Sequence, residues 1–268
     1  MLRAMTQPHD TGYKLLFSHP ELVRDLILGF VPDDWLHSLD YDTLERVPGN
    51  YVSRRYRQRA DDVVWRLRIG GDWLYLYLLI EFQSSVDRYM AVRIMTYVGL
   101  LYEDLIRRGE LLADGRLPPV LPIVLYNGRP RWSAPTEVGE LIPPVPGLVA
   151  HFKPSYRYLL IDEGRYSETE LAALNNLVAA VFRLEQAPTP EGMQQLIARL
   201  KDWLGEREDL RRSFAVWIRA ALMRREDYHI VLPEIDDLET LTMGLSDRLE
   251  EWATEYKAEG RQEGRQEG

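Results

Sequence analysis

Residues 61–83 read DDVVWRLRIGGDWLYLYLLIEFQ, two stretches of alternating residues on either side of Gly70-Gly71. A period of two, carried by Val, Ile, Leu, Tyr and Trp, is the signature of strands, and the glycine pair supplies the positive φ of a tight turn. Residues 54–69 and 73–83 are therefore expected to form a β-hairpin. A two-residue loop pairs Asp62 with Leu79, which places Asp62 diagonal to Glu81. One face then carries Val63, Trp65, Leu67, Leu74, Leu76 and Leu78, an apolar surface for the core. The other carries Asp62, Val64, Arg66, Tyr75, Glu81 and Gln83, and alternation chooses Asp62 over Asp61 for that face as long as no bulge intervenes.

Working outward, PELVRDLILGFV (20–31) places Leu22, Val23, Leu26, Ile27 and Phe30 at helical spacing, with Pro20 suited to open the helix. After the hairpin, residues 86–108 turn helical, with Met90, Ile94, Tyr97, Leu101 and Leu105 on one side. PVLPIVLYNGRP (119–130) reads as a short buried strand ending in a turn, residues 128–155 as irregular and proline-rich, and YRYLLID (156–162) as another strand. Residues 167–225 suggest about three amphipathic helices, and KAEGRQEGRQEG (257–268) a solvated tail. The expected class is a mixed α/β fold. Its divisions are a core over 1–165, a helical subdomain over 166–232 and an acidic tail over 233–268.

The 268 residues contain no cysteine, so disulfides, thiolate metal sites and cysteine nucleophiles are excluded, and a bound metal must use oxygen or imidazole ligands. Apolar runs such as LYLYLLI fall short of a membrane span, and the N-terminus lacks a signal-peptide pattern, so the expectation is a soluble cytoplasmic protein without membrane contact. The formal charge of −9 is unusual for a protein that grips phosphates. It resides in the tail: residues 226–268 hold thirteen Asp or Glu against four Lys or Arg, and the first 225 balance at 29 against 29. Arg54, Arg55, Arg57 and Arg59 stand in a locally basic stretch beside the acidic pair and are candidate phosphate contacts.

Carboxylates gathered at one end of a hairpin repel one another unless a cation lies between them, and a hard divalent ion suits such ligands. On spacing alone, the alternative is that Asp62 and Glu81 pair with Arg59 or Arg66 on a solvated face. The strings HDTGYKLLFS (9–18), ADDVVWRL (60–67), YLYLLIEFQSS (75–85), RIMTY (93–97) and LPPVLPIVLYNG (117–128) resemble the recombination-promoting nuclease and putative transposase family (Rpn, YhgA-like). That family is a branch of the PD-(D/E)XK phosphodiesterases.

The resemblance covers His9 to about residue 225. It implies an α-β-β-β-α-β core with three antiparallel strands, and metal-dependent DNA cleavage in bacteria. Carried over by position, Asp62 and Glu81 are the metal ligands for Mg²⁺, which Mn²⁺ can replace. Gln83 stands where most of the wider superfamily keeps lysine; a glutamine orients water but adds no positive charge. Arg93 and Tyr97, four apart on the next helix, resemble a Q-x-x-x-Y element, and Arg93 is the candidate for the missing charge. Asp10 is a candidate outer-shell residue.

The expected function is a metal-dependent endonuclease acting on double-stranded DNA with little sequence specificity, linked to recombination or transposition, with a homodimer left open. The rival is a weak or inactive nucleic-acid-binding or scaffold protein of the same fold. No Ser-His-Asp arrangement, P-loop, Rossmann glycine pattern or zinc motif is present.

Overall fold

The structure, a computed structural model, describes residues 8–47, 62–69, 72–81, 86–187, 190–223 and 238, with side chains except at 8–11, 62, 72, 76–81, 190 and 191. The chain divides into two compact units, one of residues 20–167 and one of residues 1–19 with 168–268.

The first unit is built on a five-stranded sheet in the order β1 (Glu45–Val47), β2 (Asp62–Ile69), β3 (Asp72–Glu81), β4 (Val120–Tyr126) and β5 (Leu159–Asp162). The first three strands are antiparallel, and β3, β4 and β5 run parallel. The expected mixed α/β class is what the structure has. Parallel neighbours need a long crossover, and α4 (Met90–Arg108) supplies it between β3 and β4. Gly109, at φ 70°, ends α4 in the left-handed conformation that glycine adopts without strain; its N–H reaches back to the helix carbonyls of Leu105 and Ile106. Before the sheet come α2 (Pro20–Phe30), which starts at the proline as expected, and the single-turn α3 (Asp34–His37).

Both faces of the hairpin are covered. Val63, Trp65, Leu67 and Leu74 of the apolar face are buried. The opposite face is also buried where α4 lies over it: Val64, Tyr75, Val124 and Tyr126 share a core with Ile94, Tyr97, Val98 and Leu101. Sustained apolar spacing on α4 at i, i+3, i+4 and i+7 produces that contact.

The second unit is helical: α1 (Pro8–Leu16), α5 (Glu168–Leu174), α6 (Leu177–Gln186), α7 (Pro190–Leu204) and α8 (Glu208–Met223). Four helices thus occupy the stretch where about three were expected. Helix α1 groups with these helices. Its Tyr13 is fully buried edge-on against Trp217 of α8, ring centroids 5.7 Å apart, and stacks on Phe17. His19 Nε2 and Ser213 Oγ are 2.7 Å apart, a second bond between the same segments. Asn176 caps α6 by accepting the Ala179 N–H at 2.8 Å, which satisfies one of the amides a helix start leaves open. Among the described residues no helix is long and apolar enough to cross a membrane.

Candidate active site

Asp62 pairs with Leu79, and the register continues without a bulge to Ile69 opposite Asp72. Positions 62 and 81 are therefore diagonal neighbours on adjacent strands, about 7–8 Å apart. They belong to the same alternating set as Val64 and Tyr75, the face that α4 covers. The next strands extend the row: Glu81 is level with Tyr126, and Tyr126 with Asp162. The amino end of β2 and the carboxyl ends of β3, β4 and β5 consequently meet at one end of the sheet.

Helix α4 begins at that end and runs away from it. Its far end is fixed by Glu110, which accepts from the Tyr75 hydroxyl at 3.0 Å and from Arg66 Nη1 at 3.0 Å near the start of β3. Arg66 also holds both carboxylate oxygens of Glu45, at 3.2 and 3.0 Å, and lies over the Trp73 ring. It is thus engaged with Glu45 and Glu110, two residues toward the other end of β2 from position 62, which leaves Arg59 as the remaining cation of the solvated-pair alternative. Arg59 lies outside the described residues, as do Arg54, Arg55, Arg57 and Gln83.

Arg93 and Tyr97 fall one turn apart near the start of α4. Arg93 is partly buried and its Nη1 forms an ion pair of 2.9 Å with Asp87, whose other oxygen accepts the Tyr89 N–H at 2.8 Å. Tyr97 is 5% exposed within the core beneath α4, not on the surface. Asp10 belongs to α1 and so to the helical unit, whereas Asp62, Glu81, Arg93 and Tyr97 all belong to the sheet unit.

Three residues with no role in the sequence reading stand around this end. Asp87 fixes Arg93. Tyr126 donates its hydroxyl to the Pro130 carbonyl at 2.7 Å and packs edge-on against Trp132, centroids 4.9 Å apart. Asp162, 2% exposed, accepts the backbone N–H of Trp132 at 3.1 Å, with Arg165 Nε at 3.8 Å from the same oxygen. Its other oxygen is buried with no hydrogen-bond partner among the described residues. Burial, reinforced by the Asp162 charge, pushes the Tyr126 hydroxyl up from its ordinary pKa. Burial likewise raises Tyr158, and the charges of Asp87 and Glu140 add to the shift. The signal in the sequence was an aspartate ending a buried strand, since ligands of open α/β sheets gather outside the strands' carboxyl ends.

The family model described as putative transposase, YhgA-like, matches residues 7–214. Recombination-promoting nuclease RpnD of Escherichia coli O157:H7 is 30% identical over 121 residues, 45% of this chain and 45% of that protein. RpnC of Escherichia coli strain K12 is 31% identical over 125 residues, 46% and 40% of the two chains. At 28% over 123 residues the chain also resembles a K12 protein named inactive recombination-promoting nuclease-like protein RpnE, again over 46% and 40%. The matched part spans less than half the length of each of these relatives. No solved structure matches. With most of its length under the family model, this chain belongs to the YhgA-like putative transposase family.

Proposed function

We propose that the protein is a divalent-metal-dependent DNA endonuclease of the PD-(D/E)XK kind, cleaving with little sequence preference in recombination or transposition. The observation that carries this reading is the hairpin register, which places Asp62 and Glu81 as diagonal neighbours where β2 begins and β3 ends. The relatives named as recombination-promoting nucleases support the reaction class.

The donor set fits a hard cation: two carboxylates at diagonal positions, in a chain without any thiol. Asp62 and Glu81 would hold Mg²⁺ or Mn²⁺. When bound, such an ion polarises the phosphate and lowers the pKa of a bound water. Around it, the Gln83 carboxamide orients the attacking water, while the positive charge of Arg93, held by Asp87, offsets the charge that develops on the phosphate. Tyr97 is a positioning residue, whose burial one turn along fixes the rotation of α4 and so the place of Arg93. Arg54, Arg55, Arg57 and Arg59 guide the DNA backbone.

A second reading, a non-cleaving DNA-binding or scaffold protein, is favoured by Gln83 in the place of lysine and by the inactive name of one similar relative. Plasmid nicking decides between them. The purified full chain is incubated with supercoiled plasmid in Mg²⁺ or Mn²⁺, with EDTA as control. Metal-dependent nicking that Asp62→Ala and Glu81→Ala both lose supports the endonuclease. Duplex binding without nicking in either metal would favour the scaffold.

A further inference from the structure

Three described segments emerge at the end of the sheet where Asp62 and Glu81 lie: the turn before α4, the residues after β4 and the residues after β5. Among their described residues the exposed charges nearest the strand ends are of one sign. Arg88, Arg129, Arg131 and Arg165 are exposed. The acids of the same segments are withdrawn: Asp162 and Glu163 are 2% and 5% exposed, and Asp87 is paired with Arg93.

The segment after β4 is built to present two of these cations. Residues 127–132 read Asn-Gly-Arg-Pro-Arg-Trp, and alternate members are tied down. The Pro130 carbonyl takes the Tyr126 hydroxyl, and the buried Trp132 gives its backbone N–H to Asp162 and its indole N–H to Ala134. Arg129 and Arg131 fall between the anchors, are exposed, and have no ion-pair or hydrogen-bond partner among the described residues. Gly128 is part of the same construction. A Cβ there would overlap the Tyr126 hydroxyl, so only glycine lets the chain pass close enough for the Pro130 bond to form. Holding the backbone fixed removes the backbone share of the ordering cost of a contact, the physical value of preorganisation.

We infer that residues 127–132 form a preorganised backbone clamp in which Arg129 and Arg131 bind phosphates of duplex DNA lying across the carboxyl ends of β3 and β4. The clamp rests on the endonuclease reading of Asp62 and Glu81. Its residues are separate from Arg54, Arg55, Arg57 and Arg59, and it adds a second set of contacts on the β4 side of the carboxylates. Arginine suits the task because its planar fork matches phosphate oxygens, and contacts of this kind position DNA without reading its sequence.

The test is equilibrium binding of a fluorescent duplex to the full chain in EDTA, titrated with salt, so that cleavage plays no part. Neutralising a phosphate contact lowers the slope of log K against log salt by about 0.9 on duplex DNA. Arg129→Ala with Arg131→Ala should weaken binding and reduce the slope by up to about 1.8. A charge-matched control, Arg107→Ala with Arg116→Ala, changes exposed arginines at the opposite end and should keep the wild-type slope. Wild-type binding with the same slope in the Arg129/Arg131 variant overturns the clamp and leaves the endonuclease reading untouched. An equal drop in the control overturns it too, since the effect would then be one of net charge. Absence of duplex binding by the wild type, together with absence of metal-dependent nicking, overturns both.

Discussion

Arg93 Nη1 lies 2.9 Å from Asp87 Oδ2, in a pair where each side chain is only about a fifth exposed. Asp87 is fixed in turn by the Tyr89 N–H, so the carboxylate acts as a bracket for the guanidinium at the start of α4. On the proposed reading, in which Arg93 stands in for a lysine, its guanidinium has to be held in place. Misplacing a catalytic group by an ångström costs about 10²-fold.

Asp87→Asn should therefore lower the single-turnover cleavage rate by about 10- to 100-fold with the fold intact. Arg93→Ala should cost about 10² to 10³. Rapid-quench measurements at saturating protein check both. A wild-type rate for Asp87→Asn beside a slow Arg93→Ala would free Asp87 of any positioning role, and full activity in Arg93→Ala would remove the arginine from the reaction.

The register makes a second discrimination. Asp62 shares its alternating set with Val64, while Asp61, which alternation in the sequence assigns to the other face, lies outside the described residues. Asp62→Ala and Glu81→Ala should each abolish cleavage and leave the melting temperature level or raised, because losing one carboxylate relieves the repulsion of the other. Asp61→Ala should keep most of its activity. An inactive Asp61→Ala beside an active Asp62→Ala would assign the metal to the wrong aspartate here.

The hairpin was legible because its information is local. In the sequence, the Gly70-Gly71 pair signals a two-residue turn and alternation signals the faces, and together they specify the pairing of Asp62 with Leu79 that the structure has. Helix α4 was legible for the same reason, through one long apolar stripe. Strand β1 left no usable pattern, since three residues, Glu45–Val47, cannot display a period. The contact of Asp162 with Trp132, thirty residues apart in sequence, depends on which strands lie side by side, and no local pattern encodes that. Tyr13 against Trp217 is the extreme case: the apolar spacing of α1 says that a face is buried but not which helix buries it. At the site, residue types could be read off the sequence, but the engagement of Arg66 by Glu45 and Glu110 could not.

Alkaline titration reports on burial in the sheet unit. Burial first, then the Asp33 charge, pushes Tyr41 up to about 12, and burial with Tyr102 nearby takes Tyr156 up to about 12. A tyrosine whose folded pKa is raised contributes stability that is fully present below its unfolded value of about 10 and is lost as pH climbs through about 12. Denaturant midpoints should hold up to pH 10 and fall beyond it. Tyrosinate absorbance in the native protein should lag that of the unfolded chain. Coincident titration curves would contradict the burial of these rings.

Gly128 offers the sharpest test of the packing beneath the Arg129–Arg131 segment. A methyl group at this position would overlap the hydroxyl and adjoining ring carbons of Tyr126, whose ring is fully buried against Trp132 and has little room to retreat. Gly128→Ala should destabilise by about 1–3 kcal/mol, the usual range for overpacking a tight site. Tyr126→Phe removes only the bond to the Pro130 carbonyl and should cost about 0.5–1.5 kcal/mol. The two changes should not add. In the Tyr126→Phe background the hydroxyl is gone, so part of the clash is relieved, while the overlap with the ring carbons remains; the cost of Gly128→Ala should shrink without vanishing. A double-mutant cycle by urea denaturation measures this coupling. Strict additivity would mean that the chain at 128 moves away from the ring when crowded, and the segment carrying Arg129 and Arg131 would then be pliant instead of held.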